Sequence, residues 1–171
     1  MRYGARVQVR RATTDDVGTI SQLIRDLAAY ERASHEATAT DDQLRRALFD
    51  DDHHVFCHVV EVAGVVVGFA LWFHSYSTWT GESGLYLEDL YVRPEFRGRG
   101  AGRALMRALA KTCVERNLVR FEWSVLDWNA PSIAFYHSIG ALSLDEWTRY
   151  RLSGQALLDF SEALPSQGDG D

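Results

Sequence analysis

Apolar and polar positions along this chain repeat in two periods, and the switches between them mark the elements. Val7 and Val9 alternate with polar neighbours between Arg6 and Arg11, the pattern of a short strand. Thr13-Thr14-Asp15-Asp16 then supplies capping oxygens, and Val17, Ile20, Leu23, Ile24, Leu27 and Ala28 follow at helical spacing. This amphipathic helix is expected to end near Tyr30-Glu31. Thr40-Asp41 opens a shorter helix through Leu44, Leu48 and Phe49, closed by Asp50-Asp51-Asp52. Residues 55–62 and 65–73 are rich in β-branched and aromatic side chains and flank the turn Ala63-Gly64, which predicts a hairpin. Residues 84–92 form a third strand that stops at Pro94, because proline removes a donor and biases its predecessor against helix. Beyond a glycine-rich turn, Ala104, Leu105, Ala108, Leu109 and Cys113 predict a helix to about Arg116. Residues 119–125 read as a strand, 131–138 as a short helix stopped by Gly140, and 147–152 as a strand closing the sheet.

This order is mixed α/β with one crossover unit in the middle, an arrangement whose ligands favour the crevice at the strand ends. The 171 residues, 46% hydrophobic and 25% charged, fit one globular domain over residues 1–160. Residues 161–171 lose the apolar period and gain Gly, Ser and Asp, so a frayed tail is expected.

Eighteen Lys and Arg against 24 Asp and Glu give a net charge of −6, which offers no basic footprint for nucleic acid. The longest stretch without a charged residue, 62–81, carries three glycines, His74 and several hydroxyls, so no membrane span is expected. Residues 1–6 are not followed by an apolar stretch, which argues against a secretory signal and makes the cytoplasm the expected location. Cys57 and Cys113 have neither CxxC nor zinc spacing and read as reduced packing residues. His54 and His58 lie on or beside a strand about 13 Å apart, and His35-Glu36 lacks the second histidine of HExxH, so no metal is expected.

Arg97-Gly98-Arg99-Gly100-Ala101-Gly102-Arg103 sits between a strand and a helix. Unpaired backbone donors and the positive helix end invite an anion there, and glycine lets the chain approach it. Arg103 stands where a dinucleotide fingerprint needs its third glycine, and the Gly-Lys of a P-loop never occurs. The three interleaved arginines favour a phosphate-bearing ligand over a plain turn.

Arg97-Gly98-Arg99-Gly100-Ala101-Gly102 fits the (Gln or Arg)-x-x-Gly-x-(Gly or Ala) signature of the GNAT superfamily of N-acetyltransferases, which this sequence resembles. Leu27-Ala28-Ala29-Tyr30-Glu31, Leu87-Glu88-Asp89-Leu90-Tyr91-Val92 and Trp128-Asn129-Ala130-Pro131-Ser132-Ile133-Ala134-Phe135-Tyr136 resemble its spermidine/spermine (diamine) branch. The likeness runs roughly from Val9 to Phe160. It implies a GNAT fold, α/β, with a mixed, mostly antiparallel central sheet, a splayed strand pair and flanking helices. The implied co-substrate is acetyl-CoA, and the implied reaction is direct acetyl transfer to a primary amine of a small polyamine, diamine or lysine-like substrate. Backbone at Leu90, Tyr91 and Val92 would pair with the pantetheine arm. Arg97, Gly98, Arg99, Gly100, Ala101, Gly102 and Arg103 would hold the pyrophosphate, and Asn129, Ser132 and Tyr136 would line the coenzyme's far side. A homodimer is expected from the same likeness.

Such a transfer takes a proton from an amine of pKa about 10.4 and returns one to a thiolate near 8.5, so one base and one acid suffice. By family position Tyr136 is the acid and Glu88 the base, acting directly or through water. Glu88 and Asp89 are neighbours on a strand, which in a regular strand sends their side chains to opposite faces. Tyr30, Glu31, Trp79, Glu88, Asp89, Glu122, Trp123 and Ser124 are the implied substrate contacts. Arg32 follows Tyr30-Glu31 where polyamine enzymes of this branch carry more acid, and it would repel a long polycation. Two other functions stay open: a CoA-binding sensor without turnover, and a protein lysine or N-terminal acetyltransferase.

Overall fold

The computed structural model describes residues 6–162, which fall into two compact units divided between Ser124 and Val125. In the first, β1 (Val7–Arg11) leads through a single 3-10 turn into α1 (Val17–Tyr30) and then α2 (Asp41–Phe49). Three antiparallel strands follow, β2 (Val55–Val62), β3 (Val65–Ser77) and β4 (Glu82–Val92). Helix α3 (Ala101–Glu115) crosses over to the short β5 (Phe121–Trp123). The sheet order is β1-β2-β3-β4-β5, antiparallel except for the β4–β5 pair.

Local chemistry explains the helix starts. Thr40 Oγ1 accepts from the Gln43 amide at 3.2 Å while Gln43 Oε1 accepts from the Thr40 amide at 2.8 Å, a reciprocal cap for α2. Asp16 Oδ2 accepts from the Thr13 amide at 2.7 Å and closes the turn before α1. One sheet face packs Cys57, Val59, Phe69 and Tyr91 against Val17, Ile20 and Leu23 of α1 and Leu44 and Leu48 of α2. Strand residues of the opposite face, Trp72, Leu85 and Leu87, are buried like Leu105 and Leu109 of α3. Each such side chain stabilises the fold by about 1.5–3 kcal/mol.

The hairpin β3–β4 runs four residues past the expected end of β3, pairing Ser77 with Glu82 across a turn in which Gly81 has φ 70°. Polar residues hid this extension, because His74, Ser75, Tyr76 and Ser77 lie beyond the core and carry no apolar signal. Strand β5 is shorter than expected, spanning three residues. Its ladder with β4 covers Leu85–Phe121, Tyr86–Glu122 and Leu87–Trp123 and stops there.

The second unit holds α4 (Ala130–Ser138) and α5 (Gly154–Glu162). Asn129 caps α4, and Gly140, with φ 88°, ends it as expected. The expected closing strand at 147–152 does not form: the five-stranded sheet contains no strand from it. Trp147 and Tyr150 stay exposed, at 69% and 93%, so the alternation there has no neighbouring strand to bury it. Helix α5 was not anticipated and overlaps the start of the expected tail; residues 163–171 of that tail lie outside the described residues.

Candidate active site

The β3–β4 register slips once. Leu71 pairs with Asp89 and Trp72 with Leu87, which leaves Glu88 as the extra residue of a β-bulge. The slip coincides with the last rung to β5, Leu87–Trp123. Strand β5 ends with that rung, so residues 88–92 of β4 present an edge with no β5 ladder, at the place where the splayed pair is expected.

The bulge also overturns the expectation of strict alternation at Glu88 and Asp89. Tyr86 and Asp89 are three positions apart yet share the α1 side of the sheet, because Phe73 and Leu71, their partners, do. Burial raises the Asp89 carboxyl to about 6, and the charges of Glu88 and Glu31 push the same way. Glu88 itself is exposed. Glu31, at the C-terminal end of α1, has its own pKa raised by burial. Asp89 therefore feels the charge of two further carboxylates, one from its own strand and one from the end of α1, a grouping suited to a cationic substrate and to proton removal.

Leu90, Tyr91 and Val92 end β4. Tyr91 is 6% exposed and belongs to the core, while Leu90 pairs with Ala70. A 3-10 turn over Pro94–Phe96 then leads into the glycine segment. Gly98 and Gly100 adopt φ 70° and 88°, and a Cβ at either would meet nothing, so glycine is needed for its backbone angles rather than for space. The α3 ladder opens with the Ala104 amide donating to the Gly100 carbonyl at 2.9 Å, leaving the Ala101 and Gly102 amides ahead of the first intrahelical bond. These donors and the open edge of β4 suit a pyrophosphate and an amide-bearing arm, the two parts of CoA that need backbone recognition. Arg99 is exposed in the segment, and Arg103 lies in the first turn of α3.

Arg97 has a further role that its motif position did not reveal. Its Nε donates to the Val92 carbonyl at 2.8 Å, and its guanidinium lies 4.8 Å from the Tyr30 ring and 5.3 Å from the Tyr91 ring. The glycine segment is thereby tied to the end of α1 that carries Glu31.

Trp79 sits in the β3–β4 turn and is 88% exposed. On β5, Glu122 is ion-paired with Arg120, with Arg120 Nε 2.8 Å from Glu122 Oε2. Trp123 lies on the other side of that strand, its ring 4.9 Å from that of Phe121. Ser124 Oγ is 2.9 Å from the Tyr86 hydroxyl. Arg120 and Tyr86 were not singled out from the sequence; the only signal was their alternation with Glu122 and Leu87.

In the second unit, buried Asn129 accepts through Oδ1 from the Ser132 amide at 3.4 Å, so two of the expected coenzyme contacts build the start of α4. Tyr136 is half-buried two turns along α4, its ring 5.4 Å from that of Phe135. Among the described residues no helix is long and apolar enough to cross a membrane.

Comparison with known proteins identifies the family and the fold. Residues 20–141 match the acetyltransferase (GNAT) family model. A thialysine N-epsilon-acetyltransferase of Sus scrofa is 34% identical, over 92% of this chain and 98% of its own. An L-ornithine N5-acetyltransferase of Arabidopsis thaliana is 30% identical, over 88% and 86%. Among solved structures, an integron cassette protein from the mobile metagenome of V. cholerae superposes with a TM-score of 0.77 at 25% identity, covering 92% of this chain and 98% of that one. With its family model spanning most of the chain and full-length relatives at a third identity, this protein is an N-acetyltransferase of the GNAT family.

Proposed function

We propose that the protein transfers the acetyl group of acetyl-CoA directly to a primary amine of a small lysine-like, diamine or polyamine substrate. The observation that carries this reading is the open β4 edge that begins at the Glu88 bulge, with Glu31, Glu88 and Asp89 beside it. The named substrates of the two relatives, thialysine and L-ornithine, are small molecules with a terminal amine.

In this reading the open edge at Leu90, Tyr91 and Val92 and the segment from Arg97 to Arg103 hold acetyl-CoA, and Asn129 and Ser132 are further coenzyme contacts. When bound, acetyl-CoA supplies the activated acetyl carbon, to which the amine nitrogen bonds as the carbon–sulfur bond breaks. Asp89 and Glu31 hold the substrate ammonium. Glu88 takes its proton, directly or through water, and the Tyr136 hydroxyl returns one to the departing sulfur. Tyr30, Trp79, Glu122, Trp123 and Ser124 complete the substrate contacts.

The test is thiol release from acetyl-CoA with spermidine, putrescine, lysine, a thioether analogue of lysine and a lysine-containing peptide. Saturable release with a small amine, lowered at least 100-fold in Tyr136→Phe, is expected. Release with the peptide alone would favour protein acetylation, and tight acetyl-CoA binding with no release would favour a sensor.

We further propose a cytoplasmic homodimer. Tyr150 and Leu152 alternate with Arg149 and Arg151, and these two and Trp147 are exposed with no strand partner within the sheet, which a second copy can supply. Sedimentation at micromolar concentration should give twice the 19.3 kDa chain mass. The free thiols of Cys57 and Cys113 suit a reducing compartment.

A further inference from the structure

On the α1 side, the sheet carries successive rows of side chains across β3, β4 and β5. Leu71 and Asp89 form one row, Phe73, Tyr86 and Glu122 the next, and Ser75, Gly84 and Arg120 the third. At about 3.3 Å per residue, the second row lies about 7 Å and the third about 13 Å from Asp89 along β3. The charge changes along this line. Near Asp89 it is acidic only, whereas the far end holds a cation and an anion together.

Arg120 is held in place by several features. Its Nη2 donates to the Tyr76 carbonyl at 3.1 Å, and its Nε lies 2.8 Å from Glu122 Oε2, an ion-pair contact without hydrogen-bond alignment. Its stem crosses Gly84 so closely that a Cβ there would sit 2.6 Å from Arg120 Cγ and 2.7 Å from Ser75 Oγ. Glycine at 84 is therefore the condition for the arginine to lie across the strand. Arg120 Nε and Ser75 Oγ are both buried without a hydrogen-bond partner among the described residues. A third of each side chain of the ion pair remains exposed, at 36% for Arg120 and 31% for Glu122. A guanidinium fixed this way, with donors left over, is suited to a carboxylate.

We infer that Arg120 and Glu122 form a specificity-determining clamp for the head group of an α-amino acid, Arg120 taking its carboxylate and Glu122 its α-ammonium. This rests on the acetyltransferase reading above and narrows its substrate class. A lysine-like chain places its terminal nitrogen about 6 Å from its α-carbon when extended. That length carries the amine to Asp89 when the head lies between the second and third rows. The decarboxylated counterpart keeps the ammonium for Glu122 but brings no carboxylate to Arg120, so it loses that contact and leaves the guanidinium beside a second cation.

The test compares kcat/KM in the wild-type protein for lysine, lysine methyl ester and cadaverine, with ornithine and putrescine as the shorter pair. Lysine or ornithine should exceed its decarboxylated counterpart at least 10-fold, and the ester should fall with cadaverine. In Arg120→Met, checked for folding by its melting curve, the ratio of amino acid to diamine should drop at least 10-fold. Glu122→Gln, which keeps the arginine stem on Gly84, should lower kcat/KM at least 10-fold for lysine and cadaverine alike, because both carry the ammonium it takes, and leave their ratio unchanged; full activity with both overturns the role of Glu122. Equal or better use of the diamines by the wild-type protein overturns the clamp while leaving the acetyltransferase reading intact. A ratio unchanged in Arg120→Met overturns it too. Absence of thiol release with every amine overturns both.

Discussion

Asp16, in the turn before α1, and Asp89, on β4, are the same side chain in two regions of the first unit, and they are driven in opposite directions. At the β1 end, Asp16 accepts from Arg10 Nη1 at 2.6 Å and Nη2 at 2.9 Å, and Arg10 Nε also donates to Glu61 at 2.8 Å. The guanidinium lowers the Asp16 carboxyl to about 2. At the β4 bulge, Asp89 has carboxylates, Glu88 and Glu31, as its charged neighbours, and burial raises it to about 6. The first charge stabilises the fold. The second works against it, and a carboxylate held in that state is available to a substrate cation. Partners, more than burial, separate a structural acid from a working one.

Several substitutions sharpen this contrast. The largest effect is expected for Asp89→Asn: kcat/KM for thiol release falls about 100-fold because the substrate ammonium loses a charged partner, while the thermal midpoint does not drop, because the substitution removes a charge the fold disfavours. Loss of stability alongside activity would place Asp89 with Asp16. Next comes Asp16→Asn, which leaves Arg10 part-buried without its bidentate partner. Denaturant titration should show a loss of about 3 kcal/mol, with kcat in the folded protein retained.

The pH dependence divides in the same way. Asp16 contributes stability that is fully present above its unfolded value of 3.8 and lost as pH falls toward about 2. Asp89, raised rather than lowered, disfavours the folded state above about pH 6, and that penalty disappears below 3.8. Acid unfolding should therefore track Asp16, with a contribution from buried His58, whose pKa is lowered from 6.5 to about 4 mainly by burial. Below 6.5 the unfolded chain takes up that proton first, so the His58 contribution falls between pH 6.5 and 4. The smallest effect is expected at a cap far from both acids. Thr40→Ala should cost about 1 kcal/mol in the same titration and leave both carboxylates unmoved.

The Asp16 corner was more legible in the sequence than the bulge. Thr13-Thr14-Asp15-Asp16 ahead of an apolar helical period announces a capped helix, because capping is a local interaction with fixed spacing. The glycine-rich turn after β4 was legible as a turn for the same reason, whereas the positive φ of Gly98 and Gly100 was not, since glycine there reads from the sequence as close approach. The slip at Glu88 carries no composition signal; Leu87-Glu88-Asp89-Leu90 reads as plain alternation, and only the register with Leu71 and Trp72 reveals the extra residue. Arg120 was invisible because its meaning depends on Gly84 and Tyr76, which lie dozens of positions away. The segment 147–152 shows the reverse case: its period suggested a strand, but a period specifies a partner only where one is in reach.

The most direct test is a carbon-13 titration of the aspartate carboxyl resonances in the folded protein. The account predicts a midpoint near 6 for Asp89 and near 2 for Asp16. An Asp89 midpoint at or below the ordinary value of 3.8 would contradict it, because the bulge would then hold no carboxylate set apart for the amine.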